Sequence, residues 1–143
     1  MSQWTHVAGI IRLDALAFLG GNIEKELQNA FGNSVNYEDS EDKWYSCNVP
    51  CGSEGSLEYS IQKTAHSDSQ LAWGVLYIWG DLRDYQDQNK IYDWVKESIG
   101  KLQSISVRSC NVKIDVEYHG SYLVYDLMDD ETFDTNILMI EIK

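Results

Sequence analysis

Two short stretches gather side chains able to do chemistry. Gly52-Ser53-Glu54-Gly55-Ser56 is a glycine-framed turn carrying a hydroxyl and a carboxylate, and Gly80-Asp81-Leu82-Arg83-Asp84-Tyr85 sets two carboxylates around an arginine. Backbone N–H groups of such a turn can hold an anion, and paired carboxylates can act as general acid and base. Each stretch also has a plainer use. A phosphate cradle needs a lysine and a following helix, and neither follows Gly55, so the turn reads first as a link from loop to strand. Asp81 and Asp84 read first as acceptors of local backbone N–H groups, with Arg83 in an ion pair. If the two stretches meet, Gly52, Ser53, Gly55, Asp81, Arg83, Asp84 and Tyr85 form a candidate site for a small ligand such as a nucleotide. Arg12, Arg83 or Arg108 would then supply local positive charge.

Other reactive residues are sparse. His6 falls in an apolar, β-prone run, where a backbone carbonyl is the expected partner, and His66 and His119 fall at turns. The motifs H-E-x-x-H, G-x-S-x-G and G-x-x-x-x-G-K-[ST] do not occur. The acid-rich run 126–134 lacks the glycine of a calcium loop. Neither a metal nor a cofactor is expected. Cys47, Cys51 and Cys110 are an odd set, a poor basis for a disulfide framework. No second cysteine pair completes a zinc site with Cys47 and Cys51, and Cys110 reads as a small core residue.

The stronger signal is charge. Eleven basic against 23 acidic side chains leave the 143-residue chain at −12. Binding to nucleic acid by counterion release needs the opposite sign. The acids cluster: Glu38, Asp39, Glu41 and Asp42 crowd one loop beside Trp44 and Tyr45, and Asp126, Asp129, Asp130, Glu131 and Asp134 crowd a late connection. Carboxylates flanking aromatic anchors suit a basic protein surface, so these eleven residues are the expected partner-binding set.

The elements that must position these groups follow from periodicity. A strand is expected over 4–13. A helix follows, with Ile23, Leu27, Ala30 and Phe31 on one stripe, closed by Gly32. Residues 33–55 read as a long loop. Alternation of Leu57, Tyr59 and Ile61 against Glu58, Ser60 and Gln62 predicts a half-solvated strand. Residues 70–80 are apolar on both faces, so either both faces are covered or one meets a partner. Trp73, Trp79 and Trp94 are assigned to the core. A second helix, 88–102, carries Ile91, Trp94, Val95, Ile99 and Leu102 on one stripe, with Asp87 near its start. In the strand over 104–118 the apolar parity switches between Val107 and Cys110, which requires a bulge near Arg108-Ser109. Strands 121–127 and 137–142 complete the chain. The expected fold is α+β in a single domain, 1–143: a ferredoxin-like βαββαβ antiparallel sheet with two helices on one face and a C-terminal β-hairpin extension. A separate meander of the last four strands is the competing arrangement.

The segments Trp4-Thr5-His6-Val7, Gly52–Leu57 and Gly80–Tyr85 resemble a family of small uncharacterised phage and prophage proteins, over roughly the first two thirds of the chain. That resemblance implies a phage accessory role and no assigned activity; by class analogy it suggests an anti-defence inhibitor of the anti-CRISPR, nucleic-acid-mimicking kind. The reading that follows is a non-enzymatic inhibitor of a basic, nucleic-acid-handling host enzyme, with no direct contact to nucleic acid or membrane. The alternatives are a nucleotide-binding or nucleotide-degrading protein, an immunity protein, and a self-assembling structural component, for which a dimer is conceivable. The N-terminal residues lack the basic region of a secretory signal, so the cytoplasm of a bacterial host cell is the expected location.

Overall fold

In the computed structural model, described here for residues 2–16, 23–32, 49–64, 71–103, 105–128 and 135–143, the apolar alternation resolves into six strands and two helices. Chain order is β1 (Trp4–Leu16), α1 (Ile23–Phe31), β2 (Glu58–Thr64), β3 (Leu71–Arg83), α2 (Gln88–Gly100), β4 (Ile105–Val116), β5 (Gly120–Met128) and β6 (Thr135–Ile142). The class is α+β. All strands join one antiparallel sheet in the order β2-β3-β1-β4-β5-β6. Because β4 pairs with β1, the last four strands do not form a separate meander; the C-terminal hairpin extends the sheet on its far side.

One face of the sheet is covered by the helices. Val7 and Ile11 of β1, Leu76, Ile78 and Leu82 of β3, and Val112, Ile114 and Val116 of β4 are buried with Leu27 and Phe31 of α1 and Ile91 and Val95 of α2. Phe31 holds the layer together, its ring edge-on to Trp94 with centroids 5.5 Å apart and tilted against Tyr59 at 5.9 Å. The Trp94 indole N–H donates to the Phe31 carbonyl, and the Tyr59 hydroxyl donates to the Gly32 carbonyl, so both of these half-buried aromatics find a polar partner. Gly32 ends α1 at φ 83°, its N–H returning to Gln28, a left-handed stop that glycine adopts without a Cβ clash. Asp87 caps α2 by accepting from the backbone N–H groups of Asn89 and Lys90.

The expected bulge is present. Arg12 pairs with Ser109 while Leu13 pairs with Val107, leaving Arg108 as the extra residue of β4. The insertion turns Arg108 toward Asp14, 3.3 Å away, and lets Ile105 and Cys110, of opposite parity, both reach the buried layer. Trp79 corrects the expectation of a core residue: it is 41% exposed on the face away from the helices. The Trp73 side chain lies outside the described residues.

Candidate functional site

The sheet face opposite the helices leaves large apolar side chains exposed on several strands. Antiparallel pairing aligns its side chains in rows. Tyr77, Ile10, Asn111 and Tyr125 cross four strands in one row, and Trp79, Ala8, Lys113 and Leu123 make the next. Tyr77 and Ile10 are each 38% exposed, and β6 continues the apolar surface with exposed Ile140 and Ile142. A shallow groove of about 850 Å³ runs over this face, lined by Ile10, Arg12, Tyr77, Trp79, Ser109 and Tyr125 among others. Contiguous apolar surface rimmed by polar groups marks interaction sites in soluble proteins. β3 belongs to the 70–80 run that read as apolar on both faces, and of the two outcomes foreseen for it the structure shows one covered face and one open.

The same face ends in a three-residue clip. His6 Nδ1 lies 2.6 Å from Asp81 Oδ1, and His6 Nε2 lies 3.0 Å from Glu117 Oε1. The expected backbone-carbonyl partner of His6 is thereby corrected to two carboxylates, one on β3 and one in the turn after β4. No local pattern signals this, because the partners lie 75 and 111 positions away. The hydrogen bond to Asp81, then the one to Glu117, hold the imidazole pKa above its ordinary value against the desolvation that lowers it. With both ring nitrogens engaged, His6 ties strands together and has no lone pair turned to a substrate.

The two glycine-bearing stretches do meet. Ser53 donates its N–H to the Arg83 carbonyl, the Arg83 N–H donates to the Glu54 carbonyl, and the Gly52 N–H closes the turn on Gly55. A Cβ on Gly52 would sit 2.3 Å from the Arg83 carbonyl oxygen, and one on Gly55 would sit 2.0 Å from that of Asp81. The glycines therefore serve the close approach of this turn to β3. Arg83 donates through Nη1 to Glu54 at 2.7 Å and through Nη2 to Ser2 at 2.7 Å, while the Ser53 hydroxyl donates to Asp84. Asp81 instead binds His6, so neither carboxylate accepts the local N–H groups assigned to it. Tyr85 is more than half buried; burial, with nearby Asp87, pushes its phenol up to about 12. Gly52, Ser53, Gly55, Asp81, Arg83, Asp84 and Tyr85 are thus brought together, with Ser53 bonded to Asp84 inside the set and Arg83 and Asp81 engaged by Glu54, Ser2 and His6 beside it.

Of the eleven expected partner-binding residues, only Asp126 is described. It accepts the Cys110 N–H at 2.7 Å beside the bulge, a structural contact. Glu38, Asp39, Glu41, Asp42, Trp44, Tyr45, Asp129, Asp130, Glu131 and Asp134 lie outside the described residues. Cys110 is a buried free thiol, its pKa pushed up to about 12 by burial and then by Asp126, so it stays a protonated apolar side chain. Cys51 is disulfide-bonded, which the odd cysteine count did not lead one to expect; Cys47 lies outside the described residues.

Among the described residues no group of histidine, cysteine and carboxylate side chains is arranged to hold a metal ion, and no helix is long and apolar enough to cross a membrane. Comparison with protein-family models, with curated proteins and with solved structures finds no match for this chain.

Proposed function

We propose that this chain is a non-enzymatic binding protein whose recognition surface is the open face of its sheet, and that its partner is a basic protein. The observation that carries the reading is the exposure of Tyr77, Trp79 and Ile10 side by side on the central strands of a sheet whose other face already supplies the core. Exposed aromatics over a groove are the anchors around which protein interfaces form. The net charge of −12 selects the sign of the partner and raises its encounter rate. A basic, nucleic-acid-handling host enzyme fits that sign, which makes inhibition of such an enzyme, as in phage anti-defence, the biological role we assign. We also read the first six elements as a ferredoxin-like βαββαβ unit; the placement of β1 between β3 and β4, with β2 outside β3, supports it.

The test is capture of host protein by tagged chain at low and high salt, alongside a Tyr77→Ser/Trp79→Ser variant. We expect one identifiable basic protein, held at low salt and released as salt screens exposed charges, and lost from the variant. Equal capture by the variant would overturn the reading. A second reading, self-assembly, has one observation in its favour: β6 is an edge strand with Ile140 and Ile142 exposed. Like charge on every copy opposes it. A single monomeric peak in size-exclusion chromatography at physiological salt would remove it.

A further inference from the structure

One end of the open face is built differently from the rest. Trp79 lies between unequal cross-strand neighbours, Glu58 on β2 and Ala8 on β1. Glu58 is exposed and makes no ion pair with any described residue. Asp81 follows two residues along β3 on the same face, its side chain 66% exposed. His6 takes its Oδ1, and no described residue bonds its Oδ2. Directly opposed residues in an antiparallel pair hold their Cβ atoms about 5 Å apart, and alternate residues on one strand stand about 7 Å apart. Two carboxylates therefore flank one indole within the reach of a single long side chain. Ala8 has only a methyl group, so the other flank of the indole stays open to the groove. His6, on Asp81 Oδ1, is the near cation of this face among the described residues; Lys113 is across β1 and paired with Asp115 at 3.5 Å, and Arg12 is two rows further along β1.

We infer that Trp79, Glu58 and Asp81 form a subsite for an arginine side chain presented by the partner. The guanidinium stacks on the indole and donates from its edge to the two carboxylates. Arginine fits better than lysine because its charge is spread over a plane that can stack and donate at once, while an ammonium is a compact, strongly hydrated point charge. The inference deepens the proposed function and rests on it.

The test uses labelled oligo-arginine, oligo-lysine and oligothymidylate, with fluorescence anisotropy at low salt on the native chain and on the Trp79→Ala and Glu58→Gln variants. Glu58→Gln alters one charge on an exposed strand position, so it reads the subsite even if Trp79→Ala folds poorly. We expect oligo-arginine to bind more tightly than oligo-lysine, and each variant to weaken oligo-arginine by about tenfold, as loss of a partly desolvated cation–π and carboxylate contact implies. If both variants bind oligo-arginine like the native chain, the subsite is refuted while attraction to a basic partner survives. If no cationic peptide binds, or oligothymidylate binds in a Trp79-dependent way instead, the subsite and the basic-partner reading both fall.

Discussion

The two faces of the sheet use the same strands for opposite ends. Ile11 and Leu76, paired across β1 and β3, are sealed from water; Ile10 and Tyr77, the pair one step along, are more than a third exposed. Both pairs are apolar. Composition along β3 therefore does not separate stability from recognition, and only the helices do, by covering one side. An antiparallel sheet with one solvated face ordinarily alternates apolar and polar residues. Here the second face keeps its apolar character where solvation alone would favour polar side chains, and that departure points to a partner.

The largest effect expected from breaking this contrast comes from the covered side. Ile11→Ala should lower stability to urea by about 2–5 kcal/mol, the range for a large buried aliphatic side chain cut back to a methyl. Tyr77→Ser, one row away on the open side, should change it by less than about 1 kcal/mol, as exposed substitutions do. Comparable losses would mean that the open face is covered after all. Next comes the turn that docks on β3. Gly55→Ala should cost about 1–3 kcal/mol, because alanine at φ 79° is strained and its Cβ meets the Asp81 carbonyl. Unchanged urea melts for Gly55→Ala would show that this turn is not held against the strand.

The smallest effect concerns the clip at His6. Its folded pKa lies above the ordinary value of 6.5, so its contribution is fully present below that pH and fades as pH rises through the folded pKa. Asp81 is largely exposed and Glu117 a third exposed, so solvent screens the pairs and the contribution is under about 1 kcal/mol. Thermal melts of the native chain and His6→Asn should therefore differ most below about pH 6.5 and converge as pH rises through the raised folded pKa, by the sign of this linkage. A difference that grows with pH would contradict the clip.

Much of the scaffold is legible in the sequence. The parity switch between Val107 and Cys110 located the bulge, because a period-two pattern has no other way to change face. The stripe through Ile91 and Val95 and the glycine after Phe31 fixed the faces and one end of the helices. What was not legible depends on contacts between distant residues. An apolar pattern on both faces of β3 is silent about which face the helices take, and so about the exposure of Trp79. The partners of His6 share no local pattern with it. Gly52 and Gly55 looked like ordinary turn glycines, since the carbonyls of Asp81 and Arg83 that exclude a side chain come from another strand. The acid clusters stand out by composition, yet the open face is built mainly from strand residues outside them, such as Ile10, Tyr77 and Trp79.

The central claim is that the open sheet face is where the partner sits, and oxidative footprinting of the chain alone and in complex with its captured partner tests it most directly. The account predicts that Trp79 and Tyr77 become protected in the complex while Tyr118, exposed in the turn after β4, stays reactive. If Trp79 and Tyr77 react equally in both states and protection falls elsewhere on the chain, the claim is wrong.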